Sequence, residues 1–119
     1  HITTFGGHPV SAAASLAALE IIRDEKLYEQ IPTKVELFKS LLIHPEIKAI
    51  REAGFMMAIE FKDLDRLKQI IDKAIEMGVI TDWFLFCDNS MRIAPPLTIS
   101  DAEIREACEI ILNAIELTK

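Results

Sequence analysis

Phe55-Met56-Met57-Ala58-Ile59-Glu60-Phe61 sets Phe55, Met57, Ile59 and Phe61 in one phase and Met56, Ala58 and Glu60 in the other. A period of two belongs to a strand, whose successive side chains point to opposite faces. One face of this strand is strongly apolar and calls for a cover. Downstream, Asp63 is placed to cap a helix in which Leu64, Leu67, Ile70, Ile71, Ala74 and Ile75 hold helical spacing. Gly78 is placed to end it. Upstream, Ile47 to Ile50 reads as a neighbouring strand, joined through Glu52-Ala53-Gly54. Before that, Leu27, Ile31, Phe38, Leu41 and Leu42 mark an amphipathic stretch that ends near Ile43. Pro32 either kinks this helix or lies in the first turn of a restarted one. His44-Pro45 ends it, because the residue before proline avoids the helical region.

Further along, Val79-Ile80 and Trp83 to Phe86 read as extended, with Cys87-Asp88-Asn89-Ser90 a turn into a strand from Met91 to Ala94. Pro95-Pro96 stops that strand, since neither proline donates to a ladder. Ser100-Asp101-Ala102-Glu103 has the spacing of a capping box. The final helix places Ile104, Ala107, Cys108, Ile111 and Ile115 on its buried side. At the other end, Pro9 to Asp24 is an alanine-rich helix with an apolar stripe through Val10, Ala13, Ala14, Ala17, Ile21 and Ile22. Its few charges predict a helix packed closely on most sides, as a connector against a neighbouring domain. The order helix, helix, strand, strand, helix, strand, strand, helix predicts an α+β sandwich: a small, mostly antiparallel sheet covered on one face.

The 119 residues, half of them hydrophobic and only four of them glycine, suit one packed domain. A net charge of −6, spread without blocks, argues against nucleic acid, which wants a basic face. No apolar run reaches the length of a membrane span and no signal-peptide pattern is present. Cys87 and Cys108 have no partners at metal-ligand spacing, so the expectation is two reduced cysteines in a cytoplasmic protein.

Two places are suited to chemistry. In His1-Ile-Thr-Thr-Phe-Gly-Gly-His-Pro9, the hydroxyls of Thr3 and Thr4 and the flexible Gly6 and Gly7 precede a helix N-terminus, where an anion is favoured. The commoner use of such a loop is a helix entry capped by its own side chains, and His8 is the expected N-cap. The loop is neither a Walker loop nor a dinucleotide fingerprint. Its position at the start of the chain points to a piece of a longer polypeptide. The second place is Arg92, in an otherwise apolar strand just before Pro95-Pro96. Its guanidinium either faces solvent or grips a carboxylate through two parallel hydrogen bonds. In a sheet covered on one face, Met91 and Ile93 point away from Arg92, which leaves the arginine facing an adjoining domain. His1, His8 and His44 show no zinc spacing. Asp63, Asp65, Asp101 and Glu103 are helix-start acids, and Trp83 and Phe84 are apolar anchors. None of the eight lysines has a context that favours covalent chemistry.

Thr3-Thr4-Phe5-Gly6-Gly7-His8-Pro9 with its alanine-rich helix, Ile50-Arg51-Glu52-Ala53-Gly54-Phe55-Met56-Met57-Ala58-Ile59-Glu60, and Arg92-Ile93-Ala94-Pro95-Pro96-Leu97 stand in that order. Together they resemble the C-terminal portion of the class III pyridoxal-phosphate aminotransferases, the ornithine, acetylornithine and 4-aminobutyrate group. The resemblance runs through nearly the whole chain. It departs at His8, where asparagine is commoner in the family. It implies that residues 1–119 form the single small C-terminal domain of a fold-type I aminotransferase, with 1–24 a ligand loop plus connecting helix and the large cofactor-binding domain outside the chain. It implies that Thr4, with Thr3 a further candidate, binds the phosphate of pyridoxal 5'-phosphate in the partner subunit of a homodimer. Arg92 matches the arginine that holds the substrate carboxylate. The reaction implied moves an amino group from an amine or amino acid to an oxo acid. The catalytic lysine lies upstream in the family, so no catalytic residue is expected in this chain and the chain alone is expected to be inactive. The competing expectation is a stand-alone, non-catalytic regulatory or dimerisation module that binds a small carboxylate through Arg92. With the large domain removed, the apolar stripe of the first helix is expected to drive self-association.

Overall fold

The computed structural model describes Thr4 and residues 6–119, which fall into two compact units, His1–Gln30 and Ile31–Lys119. In the first unit, α1 (Pro9–Asp24) is followed by one short 3-10 turn, Leu27–Gln30. Pro9 occupies the first helical turn, where its missing N–H costs nothing. His8 is the N-cap residue, as its position predicted, yet its side chain makes no capping hydrogen bond. No residue of α1 is buried, and Val10, Leu16, Leu19 and Ile21 are exposed.

The second unit contains α2 (Ile31–Leu41), β1 (Ala49–Ala53), β2 (Met56–Glu60), α3 (Leu64–Glu76), β3 (Asp82–Phe84), β4 (Cys87–Ile93) and α4 (Asp101–Leu117). Pro32 lies in the first turn of α2, so the chain restarts a helix there instead of kinking one. The sheet is four-stranded and antiparallel throughout, in the order β1-β2-β4-β3. Phe55, Met57, Ile59 and Phe61 are all buried, as the alternation required. They join Met91 and Ile93 of β4, Val35 and Phe38 of α2, Leu67, Ile70, Ile71 and Ala74 of α3, and Ile104, Cys108, Ile111 and Ile115 of α4 in one core. The result is the α+β sandwich that the order of elements predicted.

The helix ends follow local chemistry. The Asp63 carboxylate accepts from the Arg66 N–H at the start of α3, and Gly78 follows the C-cap with a φ of 105°. Ser100 and Glu103 form a reciprocal capping box at α4. Gly54, with a φ of 60°, makes the turn between β1 and β2, where a Cβ would also sit 3.4 Å from Ile31 Cγ2.

Two strand boundaries differ from the sequence reading. β1 begins two residues later than Ile47 and runs through Arg51 and Glu52 to Ala53, with Ala53 opposite Met56. Ile47 is instead held in a turn, its N–H donating to the His44 carbonyl at 3.0 Å. Cys87-Asp88-Asn89-Ser90 is not a turn but the first half of β4, and the hairpin tip is Leu85-Phe86. The polar groups expected to make the turn are used by the sheet. Asn89 exchanges backbone and side-chain hydrogen bonds with Phe61, and Ser90 is fully buried with its hydroxyl paired. Two apolar residues then form the tip, Leu85 82% and Phe86 98% exposed.

Candidate functional site

Arg92 lies on the sheet face opposite the helices, because Met91 and Ile93 on either side of it are in the core. Residues directly opposite in an antiparallel ladder share a face. Arg51 of β1, Ala58 of β2, Arg92 of β4 and Asp82 of β3 therefore make one row across the open face. Strands are about 4.8 Å apart, so the backbones of the two arginines are separated by about 10 Å, with only the Ala58 methyl between them. Here the sheet and the β3–β4 hairpin enclose a concavity of about 400 Å³, lined by both arginines, Ala58, Phe84, Leu85, Phe86 and Cys87.

The two guanidiniums are held differently. Arg51 pairs with Glu60 through Nη1, and its Nη2 donates to Ser90 Oγ at 3.2 Å and to Cys87 Sγ at 3.4 Å. The hydrogen bond to Glu60, with the attraction between the charges, raises the Arg51 guanidinium above its ordinary value. Arg92 pairs through Nη2 with Asp82, and both side chains are 45% exposed. The Arg92 backbone is fixed as well, since Thr81 Oγ1 donates to its carbonyl at 2.6 Å. A second concavity, of about 510 Å³, opens where Gly78 to Thr81 meets the end of β4, Pro95, Pro96 and α4, and Arg92 reaches it too.

The N-terminal loop is a separate place. Thr4 is exposed, and Gly7 has a φ of 78° with open space where a Cβ would stand. No acidic residue occupies the first turn of α1, and among the described residues no side chain caps it. Thr3 lies outside the described residues. Among the described residues no cluster of His, Cys, Asp and Glu is arranged to hold a metal, and no helix is long and apolar enough to cross a membrane.

Arg51, Ala58 and Asp82 were not singled out by the sequence. The first two were within reach: Ala58 is in the non-core phase of β2, and strand pairing carries that phase to Arg51. Asp82 required the hairpin tip to be placed at Leu85-Phe86, which the misread turn prevented.

Residues 1–115 match the model of the family described as Aminotransferase class-III. The acetylornithine aminotransferase of Corynebacterium efficiens is 39% identical over 108 residues, covering 90% of this chain and 26% of that protein. The 4-aminobutyrate aminotransferase of Escherichia coli is 34% identical over 132 residues, covering 98% of this chain and 30% of that protein. Among solved structures, an ornithine aminotransferase from Toxoplasma gondii, described with partial occupancy of PLP at its active site, superposes with a TM-score of 0.82. It is 31% identical, and the match covers 99% of this chain and 29% of that one. The chain thus spans less than a third of the length of these relatives.

Proposed function

This chain belongs to the class-III aminotransferase family, and from that premise we propose that it is the small C-terminal domain, with its connecting helix, of a pyridoxal-phosphate-dependent aminotransferase. The parent enzyme moves an amino group from an amine or amino acid to an oxo acid. The observation that carries this reading beyond family membership is the placement of Arg92: a half-exposed guanidinium on the uncovered face of the sheet, above a concavity with an apolar wall.

Arg92 binds the substrate carboxylate. A guanidinium offers a planar fork of donors that matches a carboxylate, and the rigid strand beneath it fixes the distance from carboxylate to reacting carbon. Phe84, Leu85 and Phe86 give one side of the concavity an apolar wall. Thr4 binds the cofactor phosphate of the partner subunit in a homodimer, assisted by the N–H groups of the loop and of the first turn of α1. A helix start with no acid in its first turn and no His8 side-chain cap fits a dianionic phosphate. Bound pyridoxal phosphate supplies the carbonyl that carries the amino group between substrates and the electron sink that makes the substrate carbon acidic. The residues of this chain orient and neutralise; the lysine that moves the proton belongs to the large domain. Two free thiols, Cys87 and Cys108, suit a cytoplasmic enzyme.

The test is an assay of amino transfer from an ω-amino acid to 2-oxoglutarate or pyruvate, with pyridoxal phosphate added. The full-length polypeptide is expected to turn over and residues 1–119 alone are not. Turnover by the isolated chain, or none by the full-length protein with any amino donor, would overturn the proposal.

A further inference from the structure

We draw no further inference here: the strongest candidate, the apolar concavity of about 510 Å³ between α4 and the segment from Gly78 to Thr81 that leads into β3, carries none, because nothing in the structure shows what covers it.

Discussion

Replacing Arg66 by methionine is expected to destabilise the chain more than any other surface-charge change, although Arg66 is far from the candidate site. Its side chain is 15% exposed and joins three segments. Nε and Nη2 grip both oxygens of Glu46, at 2.6 and 3.0 Å, in the loop before β1. Nη1 donates to the carbonyl and hydroxyl of Thr118, both at 2.8 Å, and Nη2 to the Ile115 carbonyl at 2.8 Å. The last carbonyls of a helix have no partner of their own and favour a cation. Arg66 therefore closes the end of α4 onto α3. Methionine keeps most of the stem and loses every donor. Hydrogen bonds to a charged group contribute about 1.5–3 kcal/mol each but do not add, and breaking a fully buried pair costs about 3–5 kcal/mol. Glu46 is 31% exposed and regains some water, so about 2–4 kcal/mol is expected. With m-values of about 1–3 kcal/mol/M, the urea midpoint falls by about 1–2 M.

Acidity sharpens that prediction. The hydrogen bond from Arg66 holds the Glu46 carboxyl below its ordinary value. A carboxyl depressed by folding contributes fully above its unfolded pKa, about 4.3, and loses that contribution as pH falls through the folded value. Arg66→Met lacks it at every pH. The gap between wild type and variant is therefore widest near neutrality and narrows below about pH 4. It does not close, because the bonds to Ile115 and Thr118 do not titrate. The measurement is urea unfolding of both proteins at pH 7 and pH 3. A gap under about 1 kcal/mol at pH 7, or one that widens on acidification, would refute the reasoning.

Other expectations follow from single sites. Ser100→Ala removes the capping box of α4 and is expected to cost about 1 kcal/mol in chemical denaturation, with little change in m. Burial pushes the Cys108 thiol up to about 12, so a thiol reagent at pH 8 is expected to modify Cys87 alone in the native chain and both cysteines in urea. The exposed Val10, Leu16, Leu19 and Ile21 of α1 are expected to drive self-association of residues 1–119. Sedimentation at high concentration that shows only monomer would count against this.

The parts legible in the sequence were those set by short-range period and local chemistry. Phe55 to Phe61 announced a one-faced strand because burial of every second residue is written in adjacent letters. Asp63, Gly78 and the Ser100–Glu103 box announced helix ends because each cap acts within four residues. The hairpin was misread because Asn89 and Ser90 carry turn chemistry locally, while their actual partners, Phe61 and Arg51, lie 28 and 39 residues away. Arg66 was missed for the same reason, with partners 20, 49 and 52 residues distant. Arg92 emerged from its place among apolar neighbours and from family resemblance. Its ion-pair partner Asp82 emerged only once the register of β3 and β4 was known.

The most direct test of the account is Arg92→Gln in the full-length enzyme, read as kcat/KM for an ω-amino carboxylate and for the matching alkylamine. Loss of a charge-assisted grip on the carboxylate predicts a fall of about 10- to 150-fold for the first substrate. The second is expected to change by less than about threefold. Equal effects on both substrates, or none on either, would contradict the claim that this face of the sheet is the carboxylate-binding half of an aminotransferase site.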